Sequence, residues 1–274
     1  MSETRDTEPR APNPAAGPLK DKFNQGVALH QQGKLVDAER IYREILQRQP
    51  NHFDALHLLG VIALHTRHTE RAVELIGKAI ALKPNFAMAH NNLGNALRDL
   101  KRPEEALASY DRAIALRPEY AEAYSNRGNA LNDLKRAEDA LASYDRAIAL
   151  GPDFAMAHNN RGLVLRDLKR PEDALASYDR AIALEPNFAM AHNNRGLVLR
   201  DLKRPGDALA SYDKAIALEP DYAEAHCNRG LALMDLKRPE EALASYDRAI
   251  ALRADYAEAH SNRGLALAAL KRRE

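Results

Sequence analysis

Histidines spaced 34 residues apart are the first pattern here that could do chemistry. His158, His192, His226 and His260 follow one another at that interval, and His90 lies two intervals before His158. Such a series invites a metal reading. Ligands that share one zinc ion each lie about 2 Å from it. Equivalent residues of neighbouring helical units stand roughly 10 Å apart, because packed helices sit about 8–10 Å axis to axis. The histidines are therefore expected to pack rather than coordinate. His65 and His68 are three residues apart near a helix end, but no Cys or carboxylate partner suggests itself. No metal and no cofactor is expected.

Nucleophilic chemistry is no better supported. Cys227 is the single cysteine, and its equivalents in neighbouring units are Asn and Ser. Catalysis needs a unique constellation, whereas nearly every polar residue here is duplicated, so the chain is not expected to be an enzyme. One cysteine also excludes an internal disulfide and points to a reducing compartment. Forty Lys and Arg stand against 39 Asp and Glu, a net charge of +1. That balance argues against a nucleic-acid or anionic-membrane partner, which a basic excess would attract. Residues 1–17 are polar and rich in Pro and Ala, and read as a disordered leader rather than a secretion signal. Nothing downstream approaches the ~18–20 apolar residues of a membrane span. A cytoplasmic protein is expected.

The elements that position these residues emerge from self-similarity. Gly26, Gly60, Gly94, Gly128, Gly162, Gly196, Gly230 and Gly264 are each 34 residues apart. Segments 154–187 and 188–221 differ at only three positions, Glu172/Gly206, Arg180/Lys214 and Asn187/Asp221. The register gives units 18–51, 52–85, 86–119, 120–153, 154–187, 188–221 and 222–255, with a half unit 256–274.

Each unit reads as two helices. In 86–119, Asn85 is a candidate N-cap, and Asp221 with Glu224 and Asp255 with Glu258 have capping-box spacing. The first helix is expected over Ala87 to Asp99, with His90, Leu93, Gly94 and Leu97 on one face. Lys101-Arg102-Pro103 breaks it, and Pro103 suits the first position of the second helix. That helix carries a core stripe of Ala106, Leu107, Tyr110, Ala113, Ile114 and Leu116, and Pro118 stops it. Gly94 and Ala106 are small where the two helices cross. One hairpin cannot bury its apolar face, so stacked hairpins must form an all-α solenoid.

These residues resemble the tetratricopeptide repeat family. The 34-residue period and Leu93, Gly94, Leu97, Ala106, Tyr110, Ala113 and Pro118 carry the resemblance, over residues 18–274. The family implies a right-handed superhelical solenoid of antiparallel hairpins, and unit 18–51 reads as an N-terminal cap. The chain departs from the family pattern in several places. His stands at 90, 158, 192, 226 and 260 where Trp is frequent. Arg127, Arg161, Arg195, Arg229 and Arg263 replace the Leu seen at 93, and Ala254 replaces the terminal proline.

The resemblance implies that the first helices line the concave face. The groove then collects the residues two before each glycine: Asn24, Asn92, Asn126, Asn160, Asn194, Asn228 and Asn262, with Leu58 the exception. Asn is a costly choice within a helix. As a ladder it could donate to and accept from the backbone of an extended peptide. This ladder resembles the superhelix of O-linked N-acetylglucosamine transferases, which holds extended substrate peptides. Met88, Met156 and Met190 would add adaptable apolar contacts, and Arg98, Arg166 and Arg200 carboxylate partners. The alternative is that the amides bond sideways between helices and hold the pitch; the two roles are compatible. A carboxylate clamp of the family's chaperone-binding kind needs Lys one residue earlier. Asn91, Ser125, Asn159, Asn193, Cys227 and Ser261 stand there instead. The Arg127-type series is expected to form an inter-unit network with Asp133, Asp167, Asp201 and Asp235, rather than a cationic strip facing a ligand.

The function expected is an interaction scaffold for a protein or peptide. The alternative is the substrate-recruiting portion of a larger enzyme, such as a bacterial glycosyltransferase of the O-linked N-acetylglucosamine type. An ending within a unit, with Leu265, Leu267 and Leu270 on its last helix, prompts that alternative. It also suggests weak self-association through that end. RNA binding by helical repeats is disfavoured by the charge balance.

Overall fold

The computed structural model describes residues 16–271. The expected leader therefore lies outside the described residues, except for Ala16 and Gly17, which begin the first helix. The described residues form fifteen α-helices: α1 (Ala16–Gln31), α2 (Leu35–Arg48), α3 (Phe53–His65), α4 (Thr69–Leu82), α5 (Ala87–Asp99), α6 (Pro103–Leu116), α7 (Ala121–Asp133), α8 (Ala137–Leu150), α9 (Ala155–Asp167), α10 (Pro171–Leu184), α11 (Ala189–Asp201), α12 (Pro205–Leu218), α13 (Ala223–Asp235), α14 (Pro239–Leu252) and α15 (Ala257–Lys271). No strand occurs among the described residues. The fold is an all-α helical repeat solenoid.

The helices fall into two compact units, one ending at Pro118 and one beginning at Glu119. In the first, α1/α2, α3/α4 and α5/α6 are hairpins, and α2 packs on α3 and α4 on α5. Its core is aliphatic and aromatic, with Ile41, Tyr42, Ile45, Phe53, Leu56, Leu59 and Ile62 buried. The Phe53 and Phe86 rings meet edge to face at 5.1 Å. In the second unit α7/α8, α9/α10, α11/α12 and α13/α14 are hairpins. There α8, α10, α12 and α14 each pack on the first helix that follows.

Small residues set the closeness of each hairpin. A Cβ on Gly162 would fall 2.7 Å from the Tyr178 ring, and one on Gly196 2.5 Å from Tyr212. Those tyrosines, with Tyr110, Tyr144 and Tyr246, are among the largest fully buried side chains. Each glycine is thus a slot that admits the tyrosine of the second helix. Gly264 on α15 differs, since a Cβ there would meet nothing within 4 Å.

The turn inside each hairpin is reached through a left-handed residue. Lys101, Lys135, Lys169, Lys203 and Lys237 have φ near 60° (60°, 61°, 60°, 59° and 60°), and Gly33 holds the equivalent place at 73°. The next residue closes the turn, as Arg170 N–H donates to Leu165 O at 2.9 Å. Its guanidinium then pairs three residues on, Arg170 Nη2 to Asp173 at 2.8 Å. A pair that exposed contributes little alone.

The caps depart from expectation. The first helices start one residue later than a cap at Asn85 or Asp221 requires. Phe86 and Tyr222 occupy the cap positions without a side-chain cap bond. Helix α15 likewise starts at Ala257, two residues beyond Asp255. The upstream polar side chain is drawn to the neighbouring second helix instead. Arg248 reaches Asp221 at 3.0 Å, and Arg112 donates to Asn85 at 3.4 Å.

Candidate functional site

First helices lie side by side within the second unit: α7 beside α9, α9 beside α11, α11 beside α13 and α13 beside α15. Positions four apart on a helix share a face, so this row presents residues six and two before each glycine together. Those are Met156 and Asn160 on α9, and Met190 and Asn194 on α11. Met156 and Met190 are 42% and 43% exposed, and Asn194 is only 7% exposed. Met88 has the same place on α5 and is exposed too.

Each of these asparagines ties itself to the preceding first helix. Asn194 Nδ2 donates to Asn159 Oδ1 at 3.1 Å, and Asn228 Nδ2 to Asn193 Oδ1 at 2.9 Å. Asn160 Nδ2 donates to Asn129 Oδ1 at 3.0 Å. Asn262 Nδ2 points at Cys227 Sγ at 3.9 Å. In the first unit Asn92 Nδ2 lies 3.1 Å from His57 Nε2. Burial holds the His57 ring below its ordinary pKa, which favours the neutral ring that accepts this bond. Asn126 occupies the equivalent place on α7, half-buried and engaged.

The sideways bond uses one of the two hydrogens on each amide nitrogen. The other hydrogen and the remaining capacity of the carbonyl oxygen are what the amide can present to a ligand, since Asn160 Oδ1 already accepts from Asn159 Nδ2 at 3.1 Å. The Asn159 and Asn193 side chains that receive the tether were not singled out as site residues by the sequence. Their position, three before each glycine, was read only as lacking a lysine. Asn129 was also missed. It accepts from Asn160 and, at 2.7 Å, from the Tyr144 hydroxyl.

Arg166 and Arg200 are already partnered. Arg166 Nε donates to Asp201 at 2.7 Å and Arg200 Nε to Asp235 at 2.7 Å, each in the next unit. The Arg200–Asp235 pair, with Asp201 beside it, lines an open cleft of about 460 Å³ completed by Lys203, Pro205 and Lys237. Any ligand carboxylate would have to compete with Asp201 or Asp235 for them.

The Arg127-type arginines do form an inter-unit network, but with different aspartates from those expected. Arg161 Nε donates to Asp145 at 2.6 Å on the preceding second helix, and its Nη1 to Ser177 Oγ at 2.7 Å on its own. Arg195 holds Asp179 and Ser211, and Arg229 holds Asp213 and Ser245, in the same way. Arg263 holds Asp247, and Arg127 holds Ser143. The arginine precedes the glycine, so it leaves the first helix toward the second helices. Asp201 and Asp235 are held instead by Arg166 and Arg200. The clamp joins three helices, the first helix of its unit and the two second helices on either side.

The histidines bind their own loops. Nε2 of His90, His158, His192, His226 and His260 lies 2.8, 3.1, 3.0, 3.0 and 2.9 Å from the carbonyl oxygen six residues earlier. A carbonyl can only accept, so Nε2 carries the proton. Burial pushes His158 and His192 below the ordinary imidazole pKa, with nearby Arg and Lys charges adding to the effect. Among the described residues no group of three or more His, Cys, Asp or Glu could hold a metal ion. Burial raises the pKa of the Cys227 thiol, which disfavours its thiolate at neutral pH. No helix among the described residues is long and apolar enough to cross a membrane.

Sequence profiles described as tetratricopeptide or TPR repeat match residues 29–94, 94–135, 126–189, 159–223, 211–244 and 230–271. The chain belongs to the tetratricopeptide repeat family. No curated protein matches it in overall sequence. Among solved structures it is similar to a chain of the APC/C hetero-tetramer Cut9–Hcn1, at TM-score 0.77 and 19% identity. That match covers 90% of this chain and 48% of the other, so this chain spans about half of that chain's length. A tetratricopeptide repeat protein from Parabacteroides merdae superposes at TM-score 0.70 and 16% identity, over 91% of this chain and 98% of that one. YrrB, a TPR protein with an unusual peptide-binding site, is 28% identical at TM-score 0.56, over 70% of this chain and 99% of its own.

Proposed function

We propose that this TPR protein is an interaction scaffold whose first-helix face holds an extended segment of a partner protein. The observation that carries the reading is the row of tethered asparagines beside two exposed methionines. Asn160, Asn194, Asn228 and Asn262 each anchor one N–H to the preceding helix. A pre-oriented amide loses little freedom when it binds, so more of each new hydrogen bond appears as affinity. Amides recognise a backbone without regard to sequence. Exposed methionines add apolar contact that adapts in shape, as at other permissive binding surfaces. The likeness to YrrB, a TPR protein with a peptide-binding site, supports the same class of ligand.

Capture from host lysate, read by mass spectrometry, tests this. The wild-type chain is compared with one carrying Asn126→Ala, Asn160→Ala and Asn194→Ala, after both are shown to be equally helical. The tether makes that check necessary, because Asn160→Ala and Asn194→Ala each also remove an inter-unit bond. Partners lost only by the variant place binding on this face. Partners retained by an equally helical variant move it to the second helices or the turns.

A further inference from the structure

Units 154–187 and 188–221 present the same first-helix residues twice, with Asn160 tethered to Asn129 and the more buried Asn194 to Asn159. Helices α9 and α11 share the same 13 residues, AMAHNNRGLVLRD, and the three differences between the units fall on second helices or the loop. Each helix displays an exposed methionine (Met156, Met190), an asparagine four residues on (Asn160, Asn194) and a half-buried leucine three further (Leu163, Leu197). Asn194 touches Asn159 directly, so the two helices are immediate neighbours, roughly 10 Å apart. A segment lying across them meets the same methionine, amide and leucine again after that distance.

Few backbone conformations return the same face at that interval. A β-strand advances about 3.3 Å per residue, so three residues cover the distance, but its side chains alternate and residue i+3 points away from the groove. An α-helix needs about seven residues at 1.5 Å each, and its own hydrogen bonds consume the backbone groups an amide could read. A polyproline-II segment advances about 3.1 Å per residue with three residues per turn. Residue i+3 therefore returns to the same face after about 9.3 Å, and every backbone N–H and C=O is left unpaired. Both features match this surface.

On the groove reading above, we propose that residues 154–221 bind a polyproline-II segment carrying an apolar side chain at every third position. Each apolar side chain sits between the methionine and leucine of one unit, while the intervening backbone bonds the asparagine amide. The seat changes at the next unit. Glu224 stands in place of the methionine and is held by Arg253 at 2.7 Å. The strictly periodic part of the ligand is thus about two turns long, or roughly six residues.

Calorimetric titration of the full chain with two synthetic peptides tests this. Both contain about twelve residues of the same composition, the same four or so Leu among Pro and Ser, with the leucines three residues apart in one and two apart in the other. The period-three peptide is expected to bind about tenfold more tightly. Met156→Glu combined with Met190→Glu, at unchanged helicity, is expected to abolish that preference. Equal or tighter binding of the period-two peptide overturns the proposal, and so does failure of both to bind. The two readings separate cleanly. If the period-two peptide wins but is weakened by Asn160→Ala with Asn194→Ala, the groove stands and the polyproline-II ligand falls. If the period-three peptide binds with no loss in either variant, both fall.

Discussion

Hairpins 120–153 and 154–187 are built on the same frame and differ on one face. In both, the glycine of the first helix receives a buried tyrosine: Gly128 against Tyr144, Gly162 against Tyr178. In both, an arginine reaches the serine of the second helix. The next position after the glycine separates them. Asn129 accepts the Tyr144 hydroxyl, whereas Leu163 cannot accept the hydroxyl of Tyr178. That hydroxyl is buried without a protein partner among the described residues, as are those of Tyr212 and Tyr246, which lie in units with Leu197 and Leu231. Burial accordingly pushes the Tyr178, Tyr212 and Tyr246 pKa values far up. A leucine on the first-helix face costs a satisfied hydroxyl beneath it, yet three successive units carry one. Frame and face are thus coupled through this hydroxyl, and in units 154–255 the leucine on the face comes at the expense of that hydrogen bond in the frame.

The largest expected effect tests the frame. Gly162→Leu drives a side chain into the Tyr178 ring and should destabilise the protein by about 3 kcal/mol, as overpacking does. Gly264→Ala, where the added Cβ meets nothing, should be neutral or stabilise by up to about 1 kcal/mol through helix propensity. Denaturant titration of the two variants checks both. Equal destabilisation would break the slot account.

Acid provides a second test. His57, His158 and His192 have lowered pKa values in the fold, so below the unfolded value of about 6.5 the unfolded chain binds more protons than the folded one. Their contribution is complete above that pH and is lost as pH falls further. The melting temperature should drop between pH 7.5 and pH 5, and replacing His158 and His192 with Gln should flatten the profile over that window. A melting temperature that rises on acidification contradicts the assignment.

The comparison of the two hairpins sharpens most with a paired substitution. Tyr144→Phe removes a hydrogen bond and should cost about 1 kcal/mol, whereas Tyr178→Phe removes only a stranded hydroxyl and should be neutral or slightly stabilising. Equal costs would mean that Leu163 does not strand the hydroxyl. The smallest effect concerns the turn. Lys169→Gly relieves a left-handed residue and should stabilise by up to about 1 kcal/mol, partly offset by the freer unfolded chain. Thermal melts of that variant read the balance.

Much of this architecture was legible in the residues. The 34-residue spacing of glycine fixed the hairpin register, and α5 runs over the Ala87 to Asp99 expected from its breakers. Pro103 opens α6 as its missing N–H requires. The caps were misread because the identity of Asn85 or Asp221 does not disclose that a second-helix arginine competes for it. The aspartates of the Arg161 clamp were misassigned for a related reason. Periodicity lists equivalent residues but not the direction in which each leaves its helix. On the candidate face, spacing picked out Asn160 and Asn194, while Asn129, Asn159 and Asn193 become visible only once neighbouring helices are placed side by side.

The methionines offer the most direct test of the groove itself. Apart from Met1, the chain has Met88, Met156, Met190 and Met234, all on first helices. Carbon-13 labelling of their methyl groups gives one resonance each, to be followed while the partner recovered from lysate is added. The account predicts that the Met156 and Met190 signals shift with saturation of the complex. A complex that forms by sedimentation while both signals stay unmoved would contradict it.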